Sequence, residues 1–426
     1  MSQKTVKNLR WLVITLVGLA TVINYIDRTA LSVMWPGIAE ELGMDKQDYA
    51  NIITVFMISY AIGQSLFGKI FDALGTRIGF LLSIVVWSVS IALHAVATSV
   101  MSFSVVRFFL GLGEAGNWPG ATKANAEWFP VRERALAQGI FGASASMGSI
   151  IAPPLIAFMY AFLGWKATFL IIGGLGFLWI VPWLIIYKSS PDSHPWISPE
   201  EREYILSGQK VTETTEQEYV PGWLELLKHR QSWSVIASRF FIDPIWWLFV
   251  AWLPLYLNEK FGFDVKQIGI FAWVPYVGAA IGALFGGWLA GRLMKRNWSV
   301  NKARKTVITL GCVIMMPALI LTSMAHTPLL AVLLIAVILF GFQAAISNIQ
   351  TLPSDFFSGK SVGSLAGMSG TSAVLSVIIS IQLVPMLTAG GNYGSFFVLG
   401  AALVPLVLAS VFLAGRIEPV AKSDSK

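Results

Sequence analysis

Apolar runs of about 20 residues, repeated with polar breaks along the chain, limit this sequence more than any other feature. Each run is long enough to cross the hydrocarbon core of a bilayer as a helix. A helix satisfies its own backbone hydrogen bonds, which a lipid environment demands. The runs fall near 11–34, 49–70, 79–99, 103–126, 135–160, 167–187, 233–257, 267–291, 306–325, 328–351, 363–388 and 393–415. They predict an all-α integral membrane protein with twelve transmembrane helices. Composition agrees: 55% of the 426 residues are hydrophobic and only 12% are charged, more apolar surface than a soluble chain of this length could bury. The longest polar stretch, 188–231, separates six runs from six. The expected organisation is a first six-helix bundle over 1–187, a cytoplasmic linker over 188–231 and a second six-helix bundle over 232–426.

Basic residues orient the spans. With the N-terminus inside, twenty-two Lys and Arg fall in cytoplasmic segments and only Lys46, Lys166, Lys260 and Lys266 in outward loops. This asymmetry places both termini and the linker in the cytoplasm. The net charge of +7 is therefore topological, and no nucleic-acid partner is needed to explain it. The apolar segment after the basic opening "MSQKTVKNLR" is too long for a signal h-region and lacks a small-residue cleavage site, so it is expected to remain as a span. The single Cys312 excludes a disulfide framework, and the four histidines, at 94, 194, 229 and 326, have no ligand spacing; neither a metal site nor a cofactor is called for.

Ionisable side chains at membrane depth are costly and usually face a cavity or one another. Within the runs they are Asp27, Arg28, Arg107, Glu114, Lys123, Arg239 and Asp243, with Glu127 at a cytoplasmic end. Arg28 is the place for an anion, because a guanidinium offers a planar fork that matches a carboxylate bidentately. Asp27, its neighbour in sequence, is expected to be tied to it in charged form. Arg107 and Glu114 stand seven residues apart, on one helix face but about 10 Å apart along the axis, too far for an ion pair. Glu114, with no cation beside it in sequence, is the better candidate for reversible protonation. Gly111, Gly113 and Gly116 interleave with them and leave room for a partner helix or a ligand. Arg239 and Asp243, four residues apart, can neutralise each other on one helix face, or Arg239 can face a cavity. Amides and hydroxyls of the tenth and eleventh runs suit a polyhydroxylated ligand, and Asn348 and Thr371 are the two selected. Lys123 is expected to snorkel to the interface, and Glu133 and Arg134 to latch one bundle to another.

The loop after the second run reads "GKIFDALGTR", with Gly68, Asp72, Gly75 and Arg77, and the loop after the eighth, "FGGWLAGRLMKR", has Gly287 at the place of Gly68 and Gly291 at that of Asp72. Glycines here would let helices approach closely at their cytoplasmic ends. The first loop resembles the G-x-x-x-D-x-x-G-x-R motif of the major facilitator superfamily. More narrowly, "NYIDR", "RFFLGLGEAGNWPG", "AEWFPVRERALAQGIFGASASMGSIIAPP" and "SPEEREYI" resemble the anion:cation symporter family. Within it the likeness is to the bacterial hexuronate group, with galactonate and glucarate carriers and sialin as relatives.

That resemblance, which spans nearly the whole chain, implies alternating access between two bundles and proton-coupled import of a sugar acid, glucuronate or galacturonate first. It implies a bacterial inner-membrane location, one chain as the working unit, and Gly68, Asp72, Gly75 and Arg77 as a conformational motif. It also implies that Arg28 meets the substrate carboxylate, flanked by Tyr25 and Tyr60, with Arg107 on the same path, and that Asp27 and Glu114 couple protons. The hexuronate group carries Arg at the place of Arg239, where galactonate carriers have a neutral amide. Efflux of apolar cations is opposed by three arginines at membrane depth. A receptor would need a signalling domain larger than the linker, and an enzyme would need clustered nucleophiles, bases or metal ligands, none of which the sequence shows.

Overall fold

The computed structural model describes residues 5–188, 190–209, 221–357 and 360–420; the side chains of Asp72 and Arg134 lie outside the described part. Ten helical stretches are long and apolar enough to cross a membrane. One of them, Gly139–Ile186, has 48 residues and is broken at Gly164 (φ 71°, ψ 173°), so it makes two spans. A further span is assembled from Val100–Glu114 and Asn117–Trp128, which meet at Ala115–Gly116. The described residues thus hold twelve spans. It divides into two compact units, Met1–Thr214 and Thr215–Lys426.

In the first unit the spans are Leu9–Leu42, Lys46–Gly68, Ala73–Val96, the broken fourth, and the two halves of Gly139–Ile186. Gly75, at φ 78° and ψ 166°, turns the chain between the second and third spans. A side chain rarely adopts that backbone region, which is the physical use of this glycine. The expectation for Gly68 and Gly287 differs: a Cβ at either would meet no atom within 4 Å among the described residues, so neither marks a close helix approach. Arg77 donates through Nη2 to the Leu184 carbonyl at 3.0 Å and its own carbonyl accepts from Trp183 Nε1 at 3.0 Å, which joins the third span to the sixth.

Close approaches fall elsewhere. Gly111, Gly113 and Gly116 of the fourth span lie against Phe56 and Ser59, against Ser83 and Trp87, and against Phe67 and Ser83. The room these glycines leave is filled by the second and third spans. In the second unit Gly278, Gly282 and Gly286 of the eighth span sit under the carbonyls of Ala336, Phe340 and Ala344 of the tenth. Small residues every four positions let helix backbones approach where lipid provides no hydrophobic drive between them.

The first helix begins without a cap of its own. Asn8 has a left-handed backbone (φ 59°) and makes no side-chain cap hydrogen bond. Glu201, on the linker helix Pro199–Gln209, accepts instead from the Leu9 and Arg10 amides at 2.9 and 3.2 Å and from Arg10 Nη1 at 2.7 Å. Glu133 accepts from Arg10 Nε at 3.0 Å and from the Tyr204 hydroxyl at 2.8 Å. These two partners lie in its own unit, on the first helix and the linker, and the first part of the linker is a strap on the first bundle. Lys123 Nζ donates to the Phe71 carbonyl at 2.6 Å, between the second and third spans. Replacing Glu201 by Ala removes acceptors from orphan amides at a helix N-terminus and from a guanidinium. The expected loss is about 2 kcal/mol, read as a lower thermal midpoint of the detergent-solubilised protein.

Candidate functional site

Four charged residues of the first bundle, Asp27, Arg28, Arg107 and Glu114, gather where the first, second and fourth spans meet. Arg28 is 7% exposed and Glu114 fully buried. Arg28 Nε and Nη2 both lie 3.0 Å from Glu114 Oε2. Nη2 also donates to Asn24 Oδ1 at 3.4 Å, one helical turn away. Three rings surround the guanidinium, with Cζ 5.1 Å from the Tyr25 centroid, 5.0 Å from Tyr60 and 5.7 Å from Phe56. Guanidinium over an aromatic face is favourable, more so away from water. Tyr25 and Tyr60 thus flank Arg28 in the fold. Phe56 is a third wall that the sequence reading passed over; its position four residues before Tyr60 on one helix face was the available signal.

The partner of Arg28 differs from the expectation. Asp27 adjoins it in sequence, yet the ion pair is with Glu114, 86 residues away. Consecutive residues on a helix point about 100° apart, so side-by-side charges do not face each other. Asp27 is fully buried, and neither carboxylate oxygen has a hydrogen-bond partner among the described residues. Arg107 is 1% exposed, with its Cζ 5.7 Å from the Phe56 centroid, and its Nε and Nη2 have no hydrogen-bond partner among the described residues. Glu114 Oε1, like both Asp27 oxygens and these two Arg107 nitrogens, has no hydrogen-bond partner among the described residues. Below them, Asn117 Nδ2 donates to the Thr21 hydroxyl at 3.1 Å, a second polar tie between the first and fourth spans.

The second unit holds Arg239, Asn348 and Thr371. Arg239 pairs with Asp243 on its own helix, through Nε to Oδ2 and through Nη2 to Oδ1 at 3.1 Å. This is the self-neutralised arrangement that the four-residue spacing allows. Asn348 is buried and engaged at both ends of its amide: Oδ1 accepts from Arg304 Nη1 at 3.1 Å, and Nδ2 donates to the carbonyls of Gly286 and Ala344 at 3.3 and 3.1 Å. Arg304 in turn pairs with Asp355 at 3.0 Å. Both N–H donors of Asn348 are thus engaged, while Oδ1, which accepts one bond, keeps a second lone pair. Thr371 is exposed and its hydroxyl donates to the Gly367 carbonyl at 3.2 Å.

Removing one partner of a buried ion pair strands the other charge, at a cost of about 3–5 kcal/mol. Glu114→Ala is therefore expected to lower the thermal midpoint of the purified protein sharply. Asp27→Asn, which breaks no hydrogen bond, is expected to shift stability by less than about 1 kcal/mol. Thermal unfolding of the two variants in detergent ranks them; the reverse order would contradict the pairing described here.

Comparison with known proteins follows the same lines. The family model of the Major Facilitator Superfamily matches residues 17–381. The hexuronate transporter of Escherichia coli K12 is 35% identical over 415 residues, covering 95% of each chain. The galacturonate transporter of Dickeya chrysanthemi is 37% identical over 313 residues, 73% of this chain and 90% of that one. Among solved structures, a bacterial homolog of the human lysosomal transporter Spinster, in an inward-facing and unoccupied conformation, superposes with a TM-score of 0.70 at 17% identity. That match covers 96% of this chain and 95% of that one, and it speaks for the fold alone. With most of its length matched by the family model and its spans arranged in that fold, the chain belongs to the Major Facilitator Superfamily.

Proposed function

We propose that this protein is a proton-coupled importer of a sugar acid, a hexuronate such as glucuronate or galacturonate, working by alternating access in a bacterial inner membrane with both termini cytoplasmic. The observation that carries the reading is the buried Arg28–Glu114 pair walled by Tyr25 and Tyr60. The names of the two uronate-transporting relatives support the choice of substrate class. Arg28 is assigned to the substrate carboxylate and Glu114 to the proton.

The coupling follows from charge balance in a low-dielectric site. Arg28 with ionised Glu114 is a neutral pair. Arg28 with a substrate carboxylate and protonated Glu114 is neutral as well. Substrate together with ionised Glu114 would set two anions against one guanidinium, a state that burial penalises strongly. Loading of the anion therefore requires Glu114 to hold a proton, and release of that proton on the far side restores its claim on Arg28 and expels the anion. Asp27, buried beside this exchange, is assigned a second proton-binding role, and Arg107 a contact to the far end of the anion. From the second bundle Arg239 is the candidate contact, held by Asp243 as Arg28 is held by Glu114. Gly68, Asp72, Gly75 and Arg77 are assigned to the conformational cycle.

Purified protein in liposomes tests this reading with labelled glucuronate, galacturonate, galactonate and glucarate. Uptake is expected to rise with external acidity and to carry protons inward; uronate flux without proton movement or pH dependence would refute the coupling. Arg28→Ala is expected to abolish uptake of all four acids. Glu114→Gln, neutral in every step, is expected to keep exchange of internal for external substrate while losing accumulation against a gradient. Equal loss of both activities would remove Glu114 from the proton's path.

A further inference from the structure

Arg28 and Arg107 solve the same difficulty in different ways. Each is a cation at membrane depth, 7% and 1% exposed respectively. Arg28 has Glu114 at 3.0 Å. Arg107 has two guanidinium nitrogens, Nε and Nη2, without a hydrogen-bond partner among the described residues, and its Cζ lies over the ring of Phe56. Arg28 Cζ stands over the same ring at the same distance, 5.7 Å. Two like charges thus share one buried aromatic side chain, and their Cζ atoms can be no farther apart than twice that distance.

An aromatic face carries negative electrostatic potential and attracts a cation without using any of its N–H donors. A carboxylate in that place would consume the donors and compete with an incoming anion. The ring is itself held rigidly. Phe56 is 2% exposed and stacks on Tyr60, with centroids 5.8 Å apart and planes 24° apart. Its carbonyl accepts from the Ser59 hydroxyl at 2.9 Å. Gly111, one helical turn after Arg107, lies so close to the Phe56 carbonyl and the Tyr60 amide that any side chain there would collide with the second span. This close packing sets the register between the helix that carries Arg107 and the helix that carries the ring.

We infer that Phe56 is a positioning residue that holds the guanidiniums of Arg28 and Arg107 at a fixed spacing, with the donors of Arg107 left for one small anion. The inference rests on the sugar-acid reading above for the identity of that anion, but its physical core, one ring serving two cations, can be tested without a substrate. The test replaces Phe56 in the full-length chain by phenylalanines carrying one, two and three ring fluorines, which weaken the face potential with little change in volume. Phe56→Tyr and Phe56→Leu complete the series.

In liposomes the KM for glucuronate is expected to climb stepwise with fluorine count, reaching on the order of ten-fold with three, with a smaller change in maximal rate. Phe56→Tyr should stay near the unmodified protein and Phe56→Leu should match or exceed the trifluoro form. A KM indifferent to fluorination would overturn the inference, because a ring that merely fills space has no reason to register its quadrupole. The thermal midpoint without substrate is measured on the same proteins and again in an Arg107→Leu background. A stepwise fall that shrinks in that background supports the inference even if no sugar acid is transported, an outcome that would defeat only the substrate assignment. Equal falls in both backgrounds would defeat the role of Phe56 itself.

Discussion

A guanidinium at membrane depth cannot be left to itself, because removing its charge from water costs more than a single helix can return. Around Arg28 the first bundle answers with a carboxylate at 3.0 Å and three aromatic faces. Those partners come from the first, second and fourth spans, so one side chain's need for company defines where three helices meet. The arrangement is neutral as a unit yet depends on the protonation state of Glu114. The proposed exchange of one anionic partner for another draws on that dependence.

The backbone makes that meeting possible. Gly111, Gly113 and Gly116 bring the fourth span against the second and third closely enough that Glu114 is fully buried and still within reach of Arg28. Directly after Glu114 the helix breaks at Ala115–Gly116 and resumes at Asn117. Asn117 then binds Thr21 of the first span. Polar ties above and below the break keep the first and fourth spans in register, while the linker strap supplies the cap that the first helix lacks at its N-terminus.

The second bundle repeats the chemistry with a different geometry. Arg239 stands on the first helix of its bundle, as Arg28 does, but its carboxylate partner is four residues away on the same helix. A pair within one helix neutralises charge without linking elements; a pair between helices also fixes their positions. Linking in the second bundle falls to other groups, among them Arg304 with Asp355 and Asn348, and to the glycine row at 278, 282 and 286.

Much of this was legible in the chain. Twelve apolar stretches and the Arg239–Asp243 spacing follow from repeats of helix geometry and bilayer thickness, which act on neighbours in sequence. The set of charged residues at membrane depth was legible for the same reason. Their partners were not. Asp27 adjoins Arg28 in sequence, but the helical rotation between consecutive residues turns them apart, and Glu114 becomes the partner because glycine packing on another span delivers it. Phe56 as a shared wall, Asn348 as an engaged amide and Glu201 as a cap from 192 residues away are likewise consequences of helix against helix. Sequence alone determined which groups had to be satisfied inside the membrane; only tertiary packing decided by whom, since a helix fixes distances along its own axis and none across to its neighbours.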